Sequence, residues 1–394
     1  FTLDNDTSNQ LNYVGSFPLA GMSWFPLDMG IGGGTPVVYS LAIDVPNGYL
    51  YVGGNFTQSG SVTNNNIGTW YISGATWTST TFGTSSGGTN GTIFSLNFNP
   101  NALIGSQNNW LFIGGTFTTI QDVGPSSSTN ISNITFAYYQ STTPVTFNGW
   151  FQVTYASPQI GFGSGTVKAI TYIGTDFYIG GTLTSVGPDA LNINNIVKYE
   201  YNAGWKPLFN SAANNIGLNG TVNALASNGT YLYIGGEFTA TSGATPTLNY
   251  IAVYNPSNEQ WSQIIYTISG DIGLNGFVNS LYYSSTDSNV YIGGVFTSSG
   301  TTNALQLSRI AKINSATFQI SQVLDASYNG VNAGPVNAVL ANTYITNFYR
   351  YFGGSFTTSY PTTTSTLNNS AIIAVPTSAG TITGNFIDGC RGAV

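Results

Sequence analysis

The phrase "YLYIGGEFT" occupies residues 231–239, and five close copies of it recur along the chain. The copies are "YLYVGGNFT" from Tyr49, "WLFIGGTFT" from Trp110, "DFYIGGTLT" from Asp176, "NVYIGGVFT" from Asn289 and "YRYFGGSFT" from Tyr349. Their paired glycines are Gly53, Gly54, Gly114, Gly115, Gly180, Gly181, Gly235, Gly236, Gly293, Gly294, Gly353 and Gly354. Subtracting successive first-glycine numbers gives intervals of 61, 66, 55, 58 and 60 residues. This near-constant interval indicates a repeat architecture.

Each repeat contains four short runs rich in Val, Ile, Tyr, Phe and Trp, bounded by Gly, Asn, Pro or Ser, which is typical of β-strands. In the fourth repeat the runs are residues 222–226, 232–235, 251–254 and 261–265. No stretch has apolar residues at helical spacing. The sequence therefore predicts an all-β fold, a β-propeller of six four-stranded antiparallel blades. A repeat of this size could hardly bury enough surface alone, so its neighbours must supply part of its core.

The two ends of the chain bear on the number of blades. The segments "LNYVGSFPLAGMSWFPL" (11–27) and "SAIIAVPTSAGTITGNF" (370–386) both read as the last two strands of a repeat. Either the N-terminal strands complete a blade with the C-terminal ones, or one pair lies outside the ring. We favour six blades, with seven as the alternative. We expect residues 1–394 to form a single propeller domain with short extensions at both ends.

The repeated phrase is interpreted as architecture. In "LYIGG" large residues alternate between the two faces of a blade, and neighbouring blades are expected to cover both faces. Glycine tolerates unusual backbone angles and lets another chain segment approach closely, which a crowded strand end requires. The aromatic residue that follows is expected to fill the seam between blades.

Two resemblances follow from these motifs. A Gly-Gly strand followed by a spaced tyrosine and tryptophan, as at Tyr254 and Trp261, resembles the Kelch repeat. The longer pattern "LNG-x-VNAL … LYIGGxFT … N-x-IAVY … W" resembles the repeats of fungal cortical cell-polarity marker proteins and bacterial repeats of similar length. This resemblance extends from about Gly30 to Val375 and implies a propeller at a cell surface. The third copy departs from the pattern with Leu183, and the fifth and sixth repeats lack the tryptophan.

Composition restricts the partners. Charged residues make up 5% of the chain, against roughly 25% in typical soluble domains. The seven cations form no basic patch, so nucleic acid is not an expected partner. No apolar run is long enough to span a membrane. A surface of hydroxyl and amide groups has little charge repulsion to prevent association, so we expect other protein subunits as partners, and glycans as an alternative.

Catalytic chemistry has little support in the sequence. The chain has no histidine, which removes Ser–His–Asp triads and histidine-based metal sites. We therefore predict no enzyme activity, and no catalytic, cofactor-binding or metal-binding residues. A calcium site at Asp4, Asn5 and Asp6 is the alternative for a metal. A glycosidase that uses two of the fourteen scattered acids remains a further alternative.

The compartment is inferred from sequons. Eight Asn-x-Ser/Thr triplets begin at Asn5, Asn55, Asn90, Asn130, Asn133, Asn219, Asn228 and Asn368. Glycans on such sites would keep the protein soluble, because its surface carries too few charges to do so. At Asn55 and Asn219, which lie in the repeat consensus, the alternative role is backbone capping in a turn. The single cysteine, Cys390, excludes an internal disulfide framework.

Three functions remain. The first is a non-enzymatic, glycosylated protein outside the cell or on the surface of a cell or virus particle, with a structural, adhesive or assembly role. The second is a carbohydrate-binding propeller whose tyrosines and tryptophans stack on sugars. The third is the carboxylate glycosidase.

Overall fold

The chain is all-β in the part that the structure describes. The computed structural model describes residues 10–16, 18, 24–78, 81–82, 85–100, 109–120, 129–130, 134–140, 146–151, 162–186, 191–200, 203–210, 215–300, 302, 305–323, 330–332, 334–344, 347–360, 370–376 and 386–388. These residues form strands and turns without a helix. The chain divides into two compact units, Asn9–Leu208 and Phe209–Val394, the second of which also includes residues 1–8.

The unit Asn9–Leu208 contains the first 23 strands. They are β1 (Gly15–Ser16), β2 (Phe25–Pro26), β3 (Ile31–Gly32), β4 (Val37–Asp44), β5 (Tyr49–Asn55), β6 (Gln58–Ser59), β7 (Val62–Thr63), β8 (Ile67–Tyr71), β9 (Thr76–Thr78), β10 (Thr81–Phe82), β11 (Ser85–Ser86), β12 (Ile93–Asn99), β13 (Trp110–Gly115), β14 (Thr119–Ile120), β15 (Thr129–Asn130), β16 (Ile134–Gln140), β17 (Thr146–Phe151), β18 (Val167–Ile173), β19 (Asp176–Gly181), β20 (Ser185–Val186), β21 (Leu191–Asn192), β22 (Ile196–Glu200) and β23 (Gly204–Pro207).

The unit Phe209–Val394 contains the other strands. They are β24 (Phe209–Asn210), β25 (Asn215–Ile216), β26 (Val222–Ser227), β27 (Leu232–Gly236), β28 (Ile251–Asn255), β29 (Gln260–Gln263), β30 (Ile265–Tyr266), β31 (Asp271–Ile272), β32 (Val278–Ser284), β33 (Asn289–Gly294), β34 (Ile310–Asn314), β35 (Ile320–Ser321), β36 (Gly330–Asn332), β37 (Val336–Tyr344), β38 (Asn347–Gly354), β39 (Thr358–Tyr360), β40 (Ser370–Pro376) and β41 (Phe386–Asp388).

Each unit contains three antiparallel blades of four strands. The first to third blades are β4-β5-β8-β9, β12-β13-β16-β17 and β18-β19-β22-β23, and the fourth to sixth are β26-β27-β28-β29, β32-β33-β34-β35 and β37-β38-β40-β41. In the second blade, β10 pairs in parallel with β17 and joins β11 to the same sheet. The predicted all-β propeller of four-stranded blades is confirmed, and in the fourth repeat the predicted strand bounds hold to within two residues.

Both faces of the repeated strand are buried, as the alternation predicts. Leu232, Tyr233 and Ile234 of β27 are all 0% exposed. Tyr233 and Val253 belong to one apolar cluster with Val278 of the fifth blade, so the core lies in the seam between consecutive blades. Burial of apolar surface contributes about 25 cal/mol per Å² to the free energy of folding. Burial of these side chains is therefore the main favourable contribution to folding.

The aromatic residue after each glycine pair is a core residue. This position is at most 2% exposed in all six repeats, where it is occupied by Phe56, Phe117, Leu183, Phe238, Phe296 and Phe356. Leucine in the third repeat therefore keeps the same buried role as phenylalanine in the other five.

The N-terminal strands form a sheet of their own. β1 pairs with β2 through Gly15↔Pro26 and Ser16↔Phe25. The C-terminal strands β40 and β41 instead pair with β38 and with each other in the sixth blade. Among the described strands, the N-terminal and the C-terminal pairs therefore lie in separate sheets.

Candidate functional site

The first glycine of a pair lets the next blade come close. A Cβ atom on Gly53 would lie 2.7 Å from Ile93 Cγ2, and one on Gly235 would lie 2.3 Å from Val278 Cγ1. Ile93 and Val278 begin the innermost strands of the second and fifth blades. Real Cβ contacts are not this short, so these glycines are required by the packing between blades. The first glycine of the last pair, Gly353, differs, because its nearest such neighbour is 3.7 Å away.

The second glycine faces its own blade. A Cβ atom at this position would lie 1.8–2.1 Å from a backbone carbonyl oxygen at the start of the innermost strand. The pairs of second glycine and carbonyl residue are Gly54 with Val37, Gly115 with Thr92, Gly181 with Thr166, Gly236 with Thr221, Gly294 with Phe277 and Gly354 with Pro335. Only a residue without a side chain allows this approach of two backbones.

A β-bulge recurs opposite each glycine pair and was not foreseen from the sequence. In every innermost strand the cross-strand register skips one residue. The skipped residues are Tyr39, Phe94, Lys168, Asn223, Asn279 and Asn337. A bulge re-aims the side chain of the extra residue. The signal that could have revealed it is the asparagine of "VNAL", a poor strand former inside an apolar run.

The bulge residues connect neighbouring blades in two ways. In the unit Phe209–Val394, Asn223 Nδ2 donates to the Val278 carbonyl at 3.2 Å, and Asn279 Nδ2 donates to Asn337 Oδ1 at 3.0 Å. In the unit Asn9–Leu208, the rings of Tyr39 and Phe94 lie 4.7 Å apart. Amide hydrogen bonds thus connect the fourth blade to the fifth and the fifth to the sixth at this position, and an aromatic contact connects the first blade to the second.

Three equivalent asparagines clamp the loop after the glycine pair. Asn219 Oδ1 accepts from the backbone N–H groups of Thr239 (2.9 Å) and Ala240 (3.1 Å), while its Nδ2 donates to Thr239 Oγ1 at 3.0 Å. Asn90 makes the same three bonds to Thr118 and Thr119, and Asn275 makes them to Thr297 and Ser298. The sequons at Asn90 and Asn219 therefore coincide with a structural role of their side chains.

The remaining sequons have different surroundings. Asn228 lies in a turn, where its Oδ1 accepts from Thr230 N at 3.0 Å and Tyr231 N at 2.7 Å. Asn55 is exposed at the end of β5. Asn130 lies in β15, paired with Thr119. The other three sequons, together with Cys390 and the N-terminal acids considered for calcium, lie outside the described residues: Asn5, Asn133, Asn368, Asp4 and Asp6.

One ion-pair cluster lies in the third blade. Lys198 Nζ contacts Glu200 Oε1 at 2.6 Å and Asp176 Oδ2 at 3.6 Å, and Lys206 pairs with the other oxygen of Glu200. Burial works to raise the pKa of Glu200, but the hydrogen bonds and charges of the two lysines outweigh it and hold this pKa below its ordinary value. For Asp176 burial prevails over the nearby lysines, and the pKa is raised.

A second cluster joins the fifth and sixth blades. Tyr291 OH donates to Asp287 Oδ2 at 2.5 Å, Arg350 Nη2 lies 3.4 Å from the same oxygen, and Arg350 Nε donates to the Tyr291 oxygen. The guanidinium carbon also lies 5.0 Å from the centre of the Tyr291 ring. Burial works to raise the pKa of Asp287, but the hydrogen bonds it accepts, the Tyr291 bond first, and the Arg350 charge hold this pKa below its ordinary value. Burial also raises the pKa of Tyr291.

Other buried carboxylates serve local structure. Asp44 is 0% exposed and accepts from the backbone and side-chain nitrogens of Asn47. Asp271 accepts from Ser299 Oγ at 3.1 Å and Thr302 Oγ1 at 2.6 Å. In the part of the chain described here, no three His, Cys, Asp or Glu side chains form a group that could hold a metal. Among the same residues there is no helix long and apolar enough to cross a membrane.

The surface of the first blade carries an unusual apolar strip. On β4 and directly after it, Tyr39 is 50% exposed, Leu41 and Ile43 are each 53% exposed, and Val45 is 73% exposed. The other exposed large apolar residues do not form such a series along one strand: Phe25, Met29, Ile72, Ile268, Phe277, Val295 and Leu340. A contiguous apolar area on a protein surface marks an interaction site more often than isolated exposed residues do. We call residues Leu41, Ile43 and Val45 the β4 strip.

The fold and the repeats define this chain as a β-propeller protein. Residues 199–349 match the family model described as the Rax2 C-terminal beta propeller domain. This match supports repeats of the cell-polarity type predicted from the sequence. The likeness to Kelch repeats has no support in the match and stays a prediction. Comparison with curated proteins gives no match.

The solved structures that resemble the chain include two at 11% sequence identity each. One is titled "Structure of U3-55K", with a TM-score of 0.51 over 94% of this chain and 90% of that chain. The other is titled "Crystal Structure of Mitotic Checkpoint Complex", with a TM-score of 0.46 over 85% of this chain and 79% of that chain. The first likeness concerns the fold alone.

Proposed function

We propose that this protein is a non-enzymatic assembly component outside the cell, on the surface of a cell or virus particle, and that the β4 strip is a contact surface. The observation that carries the proposal is the half-exposed apolar pair Leu41 and Ile43 on a chain with 5% charged residues. Little charge repulsion opposes association of such a surface. The described carboxylates of the two ion clusters are engaged by their neighbours, which agrees with a structural role.

The experiment compares the native particle size of two variants. Leu41→Lys with Ile43→Lys places two charges in the strip, and Ile268→Lys places one at an isolated residue that is 83% exposed. We expect the wild type and Ile268→Lys to sediment from native extracts well above the chain mass of 41.5 kDa. The strip variant should sediment as a monomer with an unchanged circular dichroism spectrum. A monomeric wild type in the native extract would overturn the proposal.

Glycan binding is the second candidate, favoured by the aromatic pair of Tyr39 and Phe94. Tyr39 is half exposed and its ring lies 4.7 Å from that of Phe94, and exposed aromatic faces of this kind suit stacking on sugar rings. A glycan array separates this candidate from the first. Binding that Tyr39→Ala abolishes would favour it, and an empty array would remove it.

A further inference from the structure

The repeats depart from their common pattern at the seam between the fourth and fifth blades. Directly after the glycine pair the fourth repeat has Glu237, and the other repeats have an uncharged residue: Asn55, Thr116, Thr182, Val295 and Ser355. At the position whose carbonyl faces the second glycine the fifth repeat has Phe277, and no other repeat has an aromatic residue there: Val37, Thr92, Thr166, Thr221 and Pro335. Features that all repeats share serve the architecture, so residues found in one repeat alone are candidates for a function of their own.

A third departure, Tyr250, lies at the same seam. In four repeats the backbone nitrogen of the second glycine donates to the carbonyl of a residue with left-handed backbone: Asn66, Asn195, Tyr250 and Arg309. Of these four residues, only Tyr250 is aromatic. Its ring lies 5.4 Å from the ring of Phe277, with 65° between the two planes. The two rings therefore form a corner.

The backbone around Glu237 is bonded to this tyrosine. Gly236 N donates to the Tyr250 carbonyl at 3.0 Å, and Tyr250 N donates to the Phe238 carbonyl at 2.8 Å. The residues on both sides of Glu237 are thus held by Tyr250, which places the glutamate next to the aromatic corner.

The Glu237 carboxylate is also anchored to the fifth blade. Asn223 Nδ2 donates to Glu237 Oε1 at 3.3 Å and to the Val278 carbonyl at 3.2 Å. Val278 directly follows Phe277 in the chain. One amide group therefore holds the carboxylate close to the backbone that carries the second ring.

These groups are accessible to a ligand. Glu237 is exposed, Phe277 is 42% exposed, and Tyr250 is partly exposed. Val295, whose backbone nitrogen donates to the Phe277 carbonyl at 2.9 Å, adds apolar surface and is 40% exposed. Among the ion pairs formed by the described residues, none involves Glu237.

The chemistry of the seam suits a cation with alkyl groups. A carboxylate attracts positive charge, and so does the face of an aromatic ring when the cation lies within about 6 Å of the ring centre. The net charge of the chain, −7, also favours the approach of a cation. We propose that Glu237, Tyr250 and Phe277 form a binding site for an alkylammonium group, carried by a small quaternary amine or by a lysine side chain. The site goes beyond the proposed assembly role and lies in the unit Phe209–Val394, whereas the β4 strip lies in the unit Asn9–Leu208.

The test titrates choline into the full chain and follows saturation transfer to the choline methyl groups by NMR. We expect saturable binding of choline and none of its neutral carbon isostere. Phe277→Thr and Glu237→Thr introduce the residue that other repeats carry at these positions, so the fold should be kept. Each should weaken binding about two- to fivefold, and the double variant about tenfold. Glu259→Gln is the control, because it removes an exposed carboxylate from a turn of the same blade and should leave binding unchanged.

The same titration with Nα-acetyl-lysine amide identifies the source of the cation. Tighter binding of choline assigns a small ligand, and tighter binding of the lysine derivative assigns a partner protein. Absence of saturable binding by both compounds would overturn the site, as would equal binding of the neutral isostere or undiminished binding to a folded double variant. Binding of neutral sugars in place of the cations, lost in Phe277→Thr, would overturn the assigned ligand. None of these outcomes depends on the sedimentation experiment that tests the assembly role.

Discussion

Gly235 of the fourth blade and Val278 of the fifth lie so close that no side chain fits between them. A Cβ atom on Gly235 would be 2.3 Å from Val278 Cγ1 and 2.9 Å from its Cβ. The valine begins an innermost strand whose neighbouring Asn279 is bonded to the sixth blade, so it has little freedom to move away. Contacts of this kind at Gly53, Gly114 and Gly293 as well explain why these copies of the phrase keep the first glycine.

Replacing Gly235 with valine should therefore destabilise the protein. Overpacking of a well-packed core costs about 1–3 kcal/mol, and the contact here is tight enough to reach the upper end of this range. Equilibrium urea unfolding measures the effect as a lower midpoint. A variant that unfolds at the wild-type midpoint would contradict the packing role of the phrase.

Gly353→Ala is the matched control for that experiment. Gly353 occupies the same position in the sixth blade, but the nearest atom to a Cβ there, on Ala338, is 3.7 Å away, an ordinary contact. We expect Gly353→Ala to shift the midpoint by less than Gly235→Ala does. Equal losses in the two alanine variants would show that strand conformation, and not the approach of the next blade, requires the glycine.

The asparagine clamp gives a second stability prediction. Asn275→Ala leaves the N–H groups of Thr297 and Ser298 without their present acceptor, which should cost about 0.5–1.5 kcal/mol, the usual net contribution of a hydrogen bond. Asn275→Asp keeps an acceptor oxygen and should lose less. The comparison is again made by urea unfolding, and it does not depend on glycosylation, because Asn275 is followed by "GF" and is not a sequon. If Asn275→Ala unfolds at the wild-type urea midpoint, the asparagine clamp does not contribute to stability.

The same clamp predicts which sequons carry glycans. At Asn90 and Asn219 the nitrogen that would carry the sugar donates to a threonine oxygen of the clamped loop, whereas Asn55 is exposed at a strand end. We expect high occupancy at Asn55 and low occupancy at the two clamped sites. Peptide mass spectrometry of the native protein measures each occupancy separately. Full occupancy at Asn219 would contradict the expectation.

The sequence was sufficient to predict the strands but not the contacts between neighbouring blades. The recurrence of "LYIGG" predicted the blades, because the alternation of apolar residues and the glycines that end a strand are both visible within a single strand. The bulges at Tyr39 and Asn223 and the contact of Gly235 with Val278 depend on how one repeat packs against the next. The pairing of Asp287 with Arg350 joins residues 63 apart, and no local pattern reports such a pair.

The Asp287 cluster makes stability depend on acid. The pKa of Asp287 is lowered in the folded protein, so its contribution is fully present above the unfolded pKa of about 4 and is lost as pH falls through the lower folded value. Asp287→Asn should destabilise by about 1–3 kcal/mol at pH 7. The gap between wild type and variant should close as pH falls from about 4 towards 2. Urea midpoints across this range measure it.

Lys206→Met provides the control for an exposed ion pair. The Lys206 side chain is 47% exposed, and exposed pairs contribute about 0–1 kcal/mol. If Lys206→Met lowers the free energy of unfolding as much as Asp287→Asn does, then burial does not determine how much these ion pairs contribute to stability. A gap for Asp287→Asn that is independent of pH would contradict the assigned role of its carboxylate.

The last prediction concerns the contacts of the proposed assembly. With 5% charged residues and no histidine in the chain, few ion pairs are available for salt to screen, and few groups titrate between about pH 5 and 8. Tyrosine supplies contact area with few rotatable bonds and a polar tip. Native assemblies washed with sodium chloride up to about 1 M, where the Debye length falls to about 3 Å, should therefore retain the protein at any pH in this range. Release of monomer by modest salt would mean that charged contacts, and not apolar and hydroxyl-rich ones, hold the chain in place.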